Sequence, residues 1–292
     1  MLTHQGFRGI INSLEKAAFS IPDPLRRVLF RNGLIWRLRN ALTRTAIAEM
    51  ASPIKGCRMR LPQFYLRSYG VTPVEPNVVV FAQQTVRPGW IVADIGAFAG
   101  YYTLLLARLI GSQGMVHSFE PVPENFELLK FNVQLNVCKN VQINPLAIGP
   151  TDSEMVFRRL KARYMPFGSL IPKQDLSRYS GMKIEVRSLD SYLSERGWPH
   201  ISFAKIDVEA AEAQVVQGMQ ETIQRFSPIL VIELHDGPPH DRDQARRVLP
   251  LLFKSGYQIF SLEDDPALQH PLPKPEDWTG HKHCVAVPRS RR

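Results

Sequence analysis

IVADIGAFAGYYTLLLARLIG, residues 91–111, holds a strand, a glycine turn and a helix in one unbroken run. Ile91, Val92, Ala93 and Ile95 read as a short apolar strand. Leu, Ala and Ile from residue 104 recur at helical spacing until Gly111 ends the pattern. Between them Asp94 stands at the strand's end, beside a loop carrying Gly96, Ala97 and Gly100. A buried strand running through a glycine loop into a helix is the first half of a βαβ unit. A carboxylate at that point asks what it faces.

Outward from this run the alternation continues. MVHSFE (115–120) predicts a strand and PENFELLKFNVQLN (123–136) a helix. Residues 141–149 predict one strand; 154–160 and 183–189 predict two more around a looser stretch. A short helix is expected over 189–197 and a strand over 201–207. One long helix is expected over 209–226 and an almost wholly apolar strand over 228–234. A helix over 241–256 is expected to be interrupted near Pro250. Strands at 257–262 and 283–288 close the series. Apolar strands alternating with helices imply an α/β fold, a mostly parallel sheet covered on both faces.

Ligands of such sheets bind at the carboxyl ends of the strands. The loop reads G-x-x-x-G and lacks the middle glycine of the dinucleotide fingerprint. The Gly-Lys-Ser/Thr of a phosphate loop is also missing. Asp94 would repel a phosphate resting there, so the loop suits a cationic ligand without phosphates. S-adenosylmethionine has that chemistry. Glu120, at the tip of the next strand, stands where an acid accepts hydrogen bonds from both ribose hydroxyls, which alone fits NAD equally. The plain alternative has Asp94 capping the helix and the glycines only turning the chain. The segment 144–152, at the end of the third strand, is placed to border an adenine.

The blocks RPGWIVADIGAFAGYYTLLLA, VHSFEPVPENFELLKFNVQLN, RSLDSYL, FAKIDVEAAEAQVVQGM and PILVIELH resemble, in order and spacing, the FkbM-type family of S-adenosylmethionine-dependent methyltransferases. The resemblance covers about residues 75–288. It implies a class I methyltransferase (Rossmann-like) fold, with seven strands and one antiparallel strand near an edge. It also implies O-methylation of a small molecule or sugar. It places Asn125, which otherwise reads as a helix-start residue, beside the cofactor. Phe98 stands where the family usually has asparagine, and Ala210 where it usually has glycine.

A second acidic group closes the fourth main strand in KIDVEAAE: Asp207 and Glu209 are two apart, with Lys205 one step deeper on the same alternation. The next strand ends in Glu233 and His235. Methyl transfer is an in-line displacement that needs the acceptor hydroxyl to lose its proton. His235 is the first choice of base, since its ordinary pKa is near neutral. Asp207 or Glu209 can serve instead, or orient the acceptor. A divalent metal held by Asp207, Glu209 and Glu233 is a further option. Glu212 reads as a helix-terminus acid. His281 and His283 share one side of the last strand, read as a surface strand start for want of a third ligand.

The chain has 292 residues, a 44% hydrophobic share and a net charge of +9. Residues 1–60 carry eleven Lys and Arg against three Asp and Glu, so nearly all the excess lies there. We divide the chain into a basic helical segment, 1–70, and a methyltransferase domain, 71–292. Residues 24–50 predict one or two amphipathic helices with an arginine face. That segment is expected to act as a lid, with peripheral membrane contact as the alternative; interleaved aromatics are too few for nucleic-acid binding. No secretory leader or membrane span is read. Three scattered cysteines suit a cytoplasmic setting. Two rivals to the O-methyltransferase reading stand: an NAD-dependent oxidoreductase, which the loop opposes, and a methyltransferase-fold interaction module without strong catalysis.

Overall fold

The computed structural model describes residues 45–51, 53–62, 65–66, 74–160, 179–209, 211–234, 244–278 and 283–289. Most of the basic segment, Ala210, His235, His281 and the first residues of the helix expected from 241 lie outside them. An antiparallel hairpin comes first, β1 (Thr45–Glu49) with β2 (Arg58–Pro62), so the helix read over 24–50 gives way to strand by Thr45. Then follow α1 (Pro76–Thr85), β3 (Ile91–Ile95), α2 (Tyr101–Ile110), β4 (Met115–Phe119), α3 (Pro123–Leu135) and β5 (Val141–Asn144). Next come β6 (Ala147–Ile148), β7 (Ser153–Leu160), β8 (Tyr179–Arg187), α4 (Leu189–Ser194), β9 (Ile201–Ile206), α5 (Glu212–Gln217) and α6 (Gln220–Phe226). The series closes with β10 (Ile229–Glu233), α7 (Gln244–Lys254), β11 (Tyr257–Ser261) and β12 (His283–Pro288).

Seven strands form the central sheet in the order β5-β4-β3-β9-β10-β12-β11, with β12 antiparallel to both neighbours. The expected class I methyltransferase architecture is present. Every residue of β9 and β10 is buried, because both sheet faces are covered. Alternation sorts the side chains. Val92 and Val231 point to the face packed by α1, α2 and the hairpin; Ala93, Ile95, Leu230 and Ile232 point to the face packed by α4 to α7.

Three expectations are corrected. The strand read over 141–149 is two, since Pro145 has no N–H to continue the ladder; β6 joins a separate small sheet, β6-β8-β7. The helix read over 209–226 breaks into α5 and α6 at Gly218. A Cβ there would sit 1.8 Å from the Gly149 carbonyl oxygen, so glycine lets the helix end press on the small sheet. The helix expected to break near Pro250 runs through it, with Pro250 on the exposed face.

Candidate active site

β3 and β9 run side by side, so the glycine loop leaves β3 directly against the exit of β9. Gly96 has φ +89°, and a Cβ would lie 1.8 Å from the Asp207 carbonyl oxygen. Only glycine fits that approach. Gly100, φ +91°, starts α2, where a Cβ would press Leu129 at 2.7 Å. The loop is pinned from β4: Gly96 and Ala97 donate to the Phe119 carbonyl at 3.0 and 2.9 Å, and the Phe98 N–H donates to Glu120 Oε2 at 2.9 Å. Phe98 itself is left-handed, φ 48°. Asparagine tolerates that region better than phenylalanine. Here the Phe98 ring instead packs edge-on to Tyr65, centroids 5.3 Å apart.

The two strand-end acids are treated differently by the fold. Asp94, 1% exposed, lies beneath the loop and accepts from the Thr103 hydroxyl at 2.6 Å. Burial pushes its carboxyl up, against the pull of Lys205. It does not border the cavity described next, and its carboxylate holds α2 to β3 from inside. Glu120 does border it. Its oxygens accept from the N–H groups of Phe98 and Val122 and from Asn125 Nδ2 at 3.3 Å. Burial raises its pKa to about 7, only partly opposed by those donors.

A cavity opens at the carboxyl ends of β3, β4 and β9. Gly96 and Phe98 form one side, Glu120, Val122 and Asn125 another, and residues 146–150 with Met155, Ile184 and Val186 a broad apolar wall. Asp207, Glu209 and Gln214 complete it. Its charged lining is wholly acidic: Glu120, Asp207 and Glu209 face it, and no Lys, Arg or His does among the described residues. Of the segment read over 144–152, residues 146–150 line this cavity. Asn125 caps nothing; it reaches back to Glu120.

Asp207 and Glu209 both line the cavity, though not by strand alternation. β9 ends at Ile206, and Glu209 is left-handed at φ 53°. Asp207 Oδ2 accepts from Lys205 Nζ at 2.8 Å. Lys205 is 3% exposed and sits 4.4 Å from the Tyr102 ring centre. Burial works against its charge, but the carboxyls of Asp207, Glu75, Glu233 and Asp94 outweigh it and hold the ammonium above the usual lysine range. Glu233 does not assemble with Asp207 and Glu209 as a metal trio. Among the described residues the close set is Glu233 with Glu75 and His283. His283, read as a surface strand start, is 4% exposed, because antiparallel β12 begins beside the end of β10 and pairs it with Glu233. Glu75 carries one local signal in the sequence, its place before Pro76, where α1 begins.

The model of the methyltransferase FkbM domain family matches residues 94–259. Over 176 residues the chain is 27% identical to the 31-O-demethyl-FK506 methyltransferase FkbM of Streptomyces tacrolimicus, covering 52% of this chain and 67% of that protein. Over 163 residues it is 23% identical to methyltransferase 1 of Beauveria bassiana, covering 50% of this chain and 64% of that one. The chain thus spans about two thirds of the length of these relatives. The crystal structure of methyltransferase FkbM from Methylobacillus flagellatus superposes with a TM-score of 0.48 at 16% identity, over 72% of this chain and 47% of that one. With the family match spanning the glycine loop, both strand-end acids and the β9 exit, the chain belongs to the methyltransferase FkbM domain family.

Proposed function

We propose that the protein transfers a methyl group from S-adenosylmethionine to a hydroxyl of a small molecule or glycan. The observation that carries this is the cavity lining: apolar walls, a glycine floor, and Glu120, Asp207 and Glu209 as its charged groups. That chemistry suits a nucleoside with positive charge and no phosphate. Glu120 would accept the ribose hydroxyls, with Asn125 beside it. The apolar wall from Leu146 to Val186 would cover the base, and Asp207 and Glu209 would face the positive end. When bound, the cofactor supplies an electrophilic methyl on a sulfonium. The Lys205 ion pair fits Asp207 for an orienting and electrostatic part. His235 remains the proposed base, from sequence alone. A cytoplasmic setting belongs to the same reading, supported by three free thiols.

Calorimetric titration with S-adenosylhomocysteine and with NAD tests the cofactor, and transfer of labelled methyl to a panel of hydroxylated compounds tests the activity. Binding of S-adenosylhomocysteine alone, with transfer, is the expected result. NAD binding in its place would turn the reading to an oxidoreductase. Cofactor bound with no transfer to any acceptor would favour an interaction module.

A further inference from the structure

We propose a second site in this chain, a divalent transition-metal site formed by Glu75, Glu233 and His283. It goes beyond the cofactor cavity, whose lining includes none of the three. One ligand atom from each lies within 4.8 Å of the others. His283 Nε2 is 3.3 Å from Glu75 Oε1. A tetrahedron with metal–ligand bonds of about 2.0–2.1 Å has edges of roughly 3.3–3.4 Å, so this pair is already spaced as two corners.

Two features favour a metal over a bare acidic patch. First, the donor set is mixed, two carboxylates and an imidazole, which suits zinc, manganese, iron or cobalt rather than calcium. Second, the histidine is held from behind. Its Nδ1 bonds Glu263 Oε1, and its backbone N–H donates to Glu263 Oε2 at 3.0 Å. A proton shared on Nδ1 leaves the Nε2 lone pair toward Glu75. A carboxylate orienting a histidine in this way is the usual outer support of a metal ligand. The alternative occupant of the gap between His283 and Glu75 is a proton, giving an ordinary ion pair.

The test uses the full chain, stripped with chelator and titrated with Co2+, following its visible ligand-field absorption. S-adenosylhomocysteine binding is measured on the same samples. One Co2+ per chain is expected. Glu75→Gln and Glu233→Gln should each weaken it at least tenfold, and Glu263→Gln by about 10–100-fold through the histidine. His283→Gln should also shift the absorption bands; circular dichroism checks its folding, and the glutamate variants carry the test if it fails to fold. Absence of binding at millimolar cobalt overturns the proposal in favour of the proton. So does binding untouched by Glu233→Gln, or lost with Asp207→Asn alone. Metal-free protein that still binds S-adenosylhomocysteine keeps the two questions separate.

Discussion

Gly96 has no room for any side chain, since the Asp207 carbonyl occupies the place of its Cβ. Gly96→Ala is therefore expected to lose S-adenosylhomocysteine binding and to lower stability by a few kcal/mol, read by calorimetry and thermal unfolding. Glu120 makes a different forecast. Its folded pKa, raised to about 7, means that the ligand-free fold prefers the protonated form. The stability it contributes is present below the ordinary carboxylate range and is lost as pH rises through about 7. Ribose hydroxyls favour the carboxylate, so cofactor affinity should rise with pH and level off above about 7. Glu120→Gln should flatten that profile and weaken affinity by about tenfold to a hundredfold, as titrations across pH will show. Both residues are legible in the sequence, because strand, turn and acid fall in one local run. The true posture of Asp94 is not legible. Nothing local tells that Thr103, one turn into α2, reaches back to take its carboxylate.

At the scale of elements, β4 and α4 are joined by a buried pair, His117 Nδ1 with the Tyr192 hydroxyl at 2.9 Å. Burial, with the Arg196 charge added, lowers the His117 pKa to about 4. An imidazole depressed in the fold contributes stability that is complete above its ordinary value of about 6.5 and is lost as pH falls toward about 4. The loss amounts to at most about 3 kcal/mol. His117→Gln should remove this part of the acid sensitivity, measured by urea unfolding at several pH values. The elements themselves were mostly readable from period and punctuation. The misreadings have tertiary causes: Gly218 serves a close approach to Gly149, which no local pattern announces, and Pro145 redirects a strand to another sheet. Alternation gives β12 its buried face but not its direction. That direction sets His283 beside Glu233.

Across the whole molecule, the carboxyl edge of the sheet gathers acids from several elements around the Lys205 ammonium. Lys205→Met leaves Asp94, Asp207, Glu75 and Glu233 without the ammonium they share. We expect a loss of about 3–5 kcal/mol near neutral pH, shrinking in mild acid as the carboxyls take up protons; denaturant curves at two pH values check both size and sign. This interior is assembled from α1, β3, β9, β10 and β12, so it becomes visible only when strand order is known.

Asn132 joins two regions far apart in the chain. Its amide nitrogen donates to the Ala99 carbonyl in the glycine loop at 2.8 Å and to the Arg60 carbonyl at 3.1 Å, while its oxygen accepts the Arg60 N–H at 2.6 Å. One carboxamide thus works as a rivet between the N-terminal hairpin and the glycine loop at the rim of the cavity. Among the described residues, a chain shortened to begin after residue 62 loses no group that touches the pocket. Even so, its grip on S-adenosylhomocysteine should slacken severalfold in calorimetry, because the rim has lost the plate it was fastened to.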